Sequence, residues 1–201
     1  MEQYASMADE ELAMGYMKGD NKAFDVLLDR HKTKLFTYIM FVVRDEDFAN
    51  DIFQDTFVKV ITKMHEGHYN TSGKFGYWLT KVCHNIIMDQ YRRQKSECIT
   101  ELGADNDIEN INDDDCLSRS HEERIVKAQV LDELKMMINR LPPEQREVIY
   151  MRFHKDMSFK EIANLTGVSI NTALGRVRYA VRNLRRMARK MDVVIEDFNC
   201  D

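Results

Sequence analysis

The chain has 201 residues, with 29 Lys and Arg against 34 Asp and Glu, a formal net charge of −5 and 44% hydrophobic residues. That is an ordinary soluble globular balance, long enough for one large or two small domains, and the acidic net charge argues against a protein that coats DNA unaided. Only two Pro and eight Gly, with long apolar repeats at every third or fourth position, point to an all-α protein.

Cys83, Cys98, Cys116 and Cys200 form no C-x-x-C pair and no metal spacing, and read as reduced thiols of a cytoplasmic protein. Leu35 to Val43, the longest apolar run, is too short to span a bilayer. Neither a signal peptide nor an internal repeat is visible.

In chain order, Ala8 to Met17 is a short helix ended by Gly19 and Asp20. Asn21 is placed to cap the next helix, Lys22 to Val43, whose apolar face runs through Phe24, Leu27, Leu28, His31, Leu35, Ile39 and Val42. His31 reads there as a core or boundary histidine. A third helix spans about Asp47 to Met64, with Ala49, Ile52, Phe53, Phe57, Val60 and Met64 inside. Its other face shows Asp51, Gln54, Asp55 and Lys59, a polar stripe that either meets a partner helix or is simply solvated.

His65 to Lys74 is a loop by composition. His65 and His68 lack the Cys or carboxylate partners of a zinc site and read as loop histidines, so no metal is expected. A fourth helix runs from Phe75 to about Lys95. Phe75, Tyr77 and Trp78 open it and Arg92, Arg93 and Lys95 close it; Leu79, Val82, Ile86 and Tyr91 can face the core, and Lys81, His84, Asn85 and Asp89 can face out. Rings beside cations suit unpaired nucleic acid, because rings stack on bases and cations hold phosphates. Alternatively, Phe75 and Trp78 pack the helix end into the core.

Ser96 to Ser120 loses apolar periodicity. Glu97, Glu101, Asp105, Asp107, Glu109, Asp113, Asp114 and Asp115 stand there against Arg119 alone, the composition of a flexible acidic linker. The expected organisation is therefore a helical domain over 1–96, a linker over 97–120 and a second helical domain over 121–201. Ile125, Ala128, Leu131, Leu134, Ile138 and Leu141 line a further helix, Pro142 and Pro143 restart the chain, and the tail after Met191 is acidic.

Leu141 to Lys190 carries the strongest pattern. Ser158 and Glu161 form a capping box, with Met157 and Ile162 placed as a hydrophobic staple. Gly167 stands where a helix stops, and Ser169 caps the next one. Ala173, Val177, Val181 and Leu184 then repeat at helical spacing. This is a helix-turn-helix pattern, and its second helix holds Arg176, Arg178, Arg182, Arg185, Arg186, Arg189 and Lys190 with no acid from Ser169 onward. Such a helix suits the major groove of DNA.

Together these blocks resemble the bacterial RNA polymerase sigma factors of the sigma-seventy class, in the two-domain extracytoplasmic-function group. GDNKAFDVLLDRH, FANDIFQDTFVKV and FGYWLTKVCHNIIMDQYRRQK are similar to that family's promoter-melting domain; LPPEQREVIYMRF and SFKEIANLTGVS are similar to its upstream-element domain. The resemblance implies a factor with no cofactor, no small-molecule substrate and no catalysis of its own. Its partners would be core RNA polymerase, promoter DNA and an anti-sigma factor. It implies that Asp51, Gln54 and Asp55 dock on the polymerase. Phe75, Trp78, Lys81, Asn85, Arg92 and Arg93 would open and read the minus-ten element. Ser169, Asn171, Thr172, Arg176, Arg178 and Arg182 would read the minus-thirty-five element, and the acidic linker would thread the polymerase cleft. Gly175 departs from a good helix former inside that last helix. Two rivals are a stand-alone helix-turn-helix regulator, which leaves the Asp51–Asp55 stripe without a role, and a metal hydrolase built on His31, His65, His68 and His84.

Overall fold

The computed structural model describes residues 2–69, 74–101 and 124–191, whose regular structure is all helix, with no strand among them. The chain parts into two compact units, with the main break between Cys98 and Ile99. No helix among the described residues is long and apolar enough to cross a membrane.

The first unit holds α1 (Glu2–Ala5), α2 (Asp9–Met17), α3 (Asn21–Val43), α4 (Glu46–His65) and α5 (Phe75–Glu101). Local capping explains most of the starts. Glu11 Oε2 accepts from the Ala8 backbone N–H at 3.0 Å and opens α2. Asp20, not Asn21, caps α3: its carboxylate accepts from the Lys22 N–H at 3.1 Å. Both residue types cap well, and Asn21 is already the first helical residue. Arg44 closes α3 in the left-handed conformation, φ 68°, and Asp45 then caps α4 through the Phe48 N–H at 2.7 Å. His65 ends α4 rather than opening a loop, because its Nε2 lies 3.0 Å from the Tyr16 hydroxyl.

The core sits where the inner faces converge. Leu12, Leu27, Ile39, Ile52, Met64, Phe75, Leu79 and Ile87 are essentially fully buried, each contributing about 1.5–3 kcal/mol of transfer free energy. A run of ring contacts joins α2, α3 and α4: Tyr16 to Phe24 at 4.6 Å, Phe24 to Phe57 at 6.3 Å and Phe57 to Phe53 at 4.9 Å. Arg30 ties the N-terminus down. Its guanidinium donates to the carbonyls of Tyr4, Ala5 and Met7 and to the Asp9 carboxylate, so it caps the C-terminal carbonyls of α1.

The second unit holds α6 (Arg124–Asn139), α7 (Pro143–Ile149), a π-helical turn (Tyr150–His154), α8 (Phe159–Thr166) and α9 (Ile170–Lys190). Pro143 stands in the first turn of α7, where its missing N–H costs nothing. Asn183 of α9 donates to Gln145 of α7 at 2.8 Å. Of the α6 residues whose side chains are described, Met137 is buried and Leu134 and Ile138 are half-buried, and Leu141 just beyond is buried; the side chains of Ile125, Ala128 and Leu131, on the expected apolar face, lie outside the described residues. Arg146 and Glu147 are buried despite their charge.

The acidic linker expected over 97–120 falls outside the described residues from 102 onward. Residues 97–101 belong instead to α5, which runs past the expected stop near Lys95. The expected acidic tail, 192–201, also lies outside them.

Candidate functional site

Three exposed faces carry the residues singled out from the sequence. The first is on α4. Ala49, Ile52, Thr56, Val60 and Met64 face inward, which turns Asp51, Gln54 and Asp55 to solvent. Beside them, Val58 is 64% exposed, an apolar contact point that periodicity alone did not reveal. A cleft of about 350 Å³ runs between α4 and α5, lined by Asp55, Val58 and Lys59 on one side and Ile86, Asp89 and Arg93 on the other.

The second face is on α5. Trp78, Lys81 and Asn85 follow at three and four residues and so share one side of the helix, with Arg92 two turns on. Lys81 and Asn85 are exposed, whereas Trp78 is half-buried, its ring 4.7 Å from Tyr69 and 5.9 Å from Phe75. Phe75 does not belong with them. It is 2% exposed and packs on His31 and Tyr69 at 5.3 and 5.6 Å, so its ring offers no face to a base. His84, expected to face out, is 5% exposed and faces inward. The basic end divides: Arg92 donates to Asp89 at 2.7 Å, while Arg93 lines the cleft beside α4. Burial, and then the negative charge of Glu10 and Asp9, push the Tyr69 phenol up to about 12.

The third face is on α9. The capping box forms as read: the Ser158 N–H donates to Glu161 Oε2 at 2.9 Å, and the Glu161 N–H to Ser158 Oγ at 3.3 Å. Gly167 takes φ 68°, and the Ser169 hydroxyl accepts from the Thr172 N–H at 3.0 Å. Ala173, Val177, Ala180, Val181, Leu184 and Ala188 are buried. Asn171, Thr172, Arg178, Arg182, Arg185, Arg186 and Arg189 are exposed. Arg176 is half-buried and stands at the border of the outward face, not on it. One further exposed side chain joins that face, Tyr179, and the Arg182 guanidinium lies 5.1 Å from its ring centre; Ile170 is also exposed, but at the helix start and in line with the buried stripe. Counting away from the buried stripe in steps of 100° would have found Tyr179.

Asp9 is a hub that the sequence did not suggest. It accepts from Arg30 at 2.9 Å and lies 2.7 Å from His31 Nε2. Burial alone would raise its carboxyl, but the Arg30 and His31 hydrogen bonds outweigh that and hold it below the ordinary value. His31 is thus a half-buried boundary histidine with a carboxylate partner. His65 pairs with Tyr16 and His68 with Glu66, so three of the four histidines of the hydrolase rival serve separate contacts. Among the described residues no group of three or more His, Cys, Asp or Glu is arranged to hold a metal.

The model of sigma-70 region 2 matches residues 27–97, and that of sigma-70 region 4 matches residues 131–190. The chain belongs to the sigma-70 family of RNA polymerase sigma factors. Among its relatives, the ECF RNA polymerase sigma factor BldN of Streptomyces coelicolor is 29% identical over 88% of this chain and 64% of its own length. SigW of Bacillus subtilis is 22% identical over 87% of this chain and 93% of its own, and SigM of Mycobacterium tuberculosis 26% over 90% and 84%. Two solved structures share the fold. The sigma factor RpoE of Bartonella quintana, crystallised with the anti-sigma factor NepR, has a TM-score of 0.60 at 23% identity over 84% of this chain and 98% of that one. CnrH with the cytosolic domain of CnrY has 0.59 at 23% over 92% and 99%. In this sigma factor, region 2 takes in the exposed faces of α4 and α5, and region 4 takes in the α8–α9 turn and the basic face of α9.

Proposed function

We infer that this sigma factor binds core RNA polymerase and directs promoter-specific transcription initiation, with catalysis left to the polymerase. The observation that carries the reading is the pairing of two faces in one chain: a basic, acid-free outward face on a capped helix-turn-helix, and an acidic α4 face ending in an exposed valine. The first fits DNA and the second fits a helical protein partner.

We assign the roles by face. Asp51, Gln54 and Asp55 dock on the polymerase, with Val58 and the cleft beside Arg93 extending that surface. Trp78, Lys81, Asn85 and Arg92 meet the melted minus-ten strand; Phe75 holds Trp78 in place from the core. In region 4, Ser169 and Thr172 cap the helix and offer hydroxyls to phosphate, Asn171, Arg178 and Arg182 face the minus-thirty-five duplex, and Arg176 flanks it. We read the organisation as two helical domains, 1–96 and 121–201, joined by the acidic segment 97–120, whose first five residues continue α5, in a cytoplasmic protein. Because a similar fold has been crystallised with an anti-sigma factor, an anti-sigma factor covering the α4 face is part of the reading.

Co-elution with core polymerase tests it. Asp51→Ala with Gln54→Ala should weaken the complex and leave the helical circular dichroism unchanged, since both side chains are exposed. Undiminished co-elution of the double variant would remove α4 as the docking face.

A further inference from the structure

We propose that Gly175 is the point of closest approach between α9 and promoter duplex, and that the notch left by its missing side chain seats the edge of a base pair in the major groove. The proposal rests on the reading of α9 as the DNA-facing helix.

A glycine in a helix interior costs about 1 kcal/mol relative to alanine. Folds keep such a glycine for one of two local reasons: a positive φ, or another part of the chain pressing against the backbone. Of the other helical glycines, Gly76 has the second reason and Gly15 lies against a neighbouring helix. A Cβ at Gly76 would lie 3.1 Å from the His31 ring, and one at Gly15 would lie 3.4 Å from Ala23 Cβ. Gly175 has neither reason. It is absent from the positive-φ positions, and a Cβ added there meets no atom within 4 Å. Among the described residues, nothing in the packing around it requires a glycine.

Its place on the helix supplies what packing does not. Asn171, Gly175, Arg178 and Arg182 recur at four, three and four residues, the same rhythm as the buried stripe but on the opposite side. The notch therefore lies on the mid-line of the outward face, less than two turns from the capped N-terminus, the end of a recognition helix that reaches base edges. Its rim is chemically mixed. Asn171 and Thr172 stand one turn before it, and Arg178 and Tyr179 one turn after, all exposed. An amide and a hydroxyl on one side and a guanidinium on the other match the donors and acceptors of a base-pair edge. The absence of any acid from Ser169 to Lys190 favours a polyanion over a peptide.

Size then separates the notch from mere helix softness. Gly175→Ala and Gly175→Leu both stiffen the helix, but only the larger side chain fills the notch. Holoenzyme carrying each variant is assayed for binding to an upstream promoter duplex, with thermal unfolding measured alongside and Arg182→Ala as reference. Both Gly175 variants should unfold at a higher temperature. Gly175→Ala should bind within about twofold of the parent, and Gly175→Leu should bind about tenfold or more weakly, the scale of one lost base contact. Gly175→Gln should behave as Gly175→Leu if the latter proves unstable. Parent-like binding by both large variants while Arg182→Ala weakens it would overturn the notch and leave the DNA reading standing. Equal losses for Ala and Leu would overturn it too, in favour of flexibility. If Arg182→Ala and Gly175→Leu both bind normally, the DNA reading of α9 falls and this proposal with it.

Discussion

Replacing Phe75 by Ala removes a buried ring that three other rings contact, and such truncations cost about 3–5 kcal/mol. Phe75→Ala is therefore expected to lower the thermal midpoint of the first unit and to impair polymerase binding and promoter opening together. Trp78→Ala should differ, because Trp78 is only half-buried and shares a face with Lys81 and Asn85. It should leave polymerase and upstream duplex binding intact and slow open-complex formation, with recovery on a pre-melted template. Stacking of one base is worth about 1–3 kcal/mol. Identical behaviour of the two variants would mean that Trp78, too, is only core. Asp9 gives a pH signature at the same scale. Its folded-state value lies below the unfolded one, so its contribution is in force above the ordinary carboxylate value and is lost as pH falls through the folded value. Asp9→Asn should be less stable than the parent at neutral pH, and the gap should close in acid; parallel stability profiles would rule out the hub. Why Phe75 and His84 were misplaced from sequence is also a residue-scale matter. Helical spacing says which residues share a face, but not how far a neighbouring helix wraps around it.

Helix ends and stripes were legible wherever the determining contacts are local. The Ser158–Glu161 box, the Gly167 stop and the Ser169 cap each involve residues within four positions, and all three form. Ser158→Ala and Ser169→Ala should each cost about 1 kcal/mol, measured as a fall in the unfolding midpoint of the second unit; unchanged midpoints would show that packing alone fixes the turn. The inner stripe of α9 was legible for the same reason. Asp20 and Asn21 cap equally well in isolation, and only the start of α3 decides between them. The burial of Arg146 and Glu147, the Asp9–Arg30 tie and the Tyr16–His65 bond depend on contacts between separate elements. Charged residues are mostly exposed, so no periodicity argument places Arg146 or Glu147 inside. The π-helical turn at Tyr150–His154 adds a residue that a regular helix pattern does not register.

At the scale of the whole molecule, the sigma-factor reading needs its DNA-facing and polymerase-facing surfaces to act through a common partner. The net charge of −5 opposes tight binding of the free chain to DNA, although the basic face of α9 still gives a salt-dependent attraction. A stand-alone regulator would do without polymerase. The direct measurement is to add the purified chain to core RNA polymerase on genomic DNA and map transcript starts. The account predicts a discrete set of starts, absent with core polymerase alone, that share one upstream and one minus-ten sequence and disappear with the Asp51→Ala, Gln54→Ala variant. The contradicting result is no new start with polymerase, together with a footprint on palindromic sites made by the chain alone.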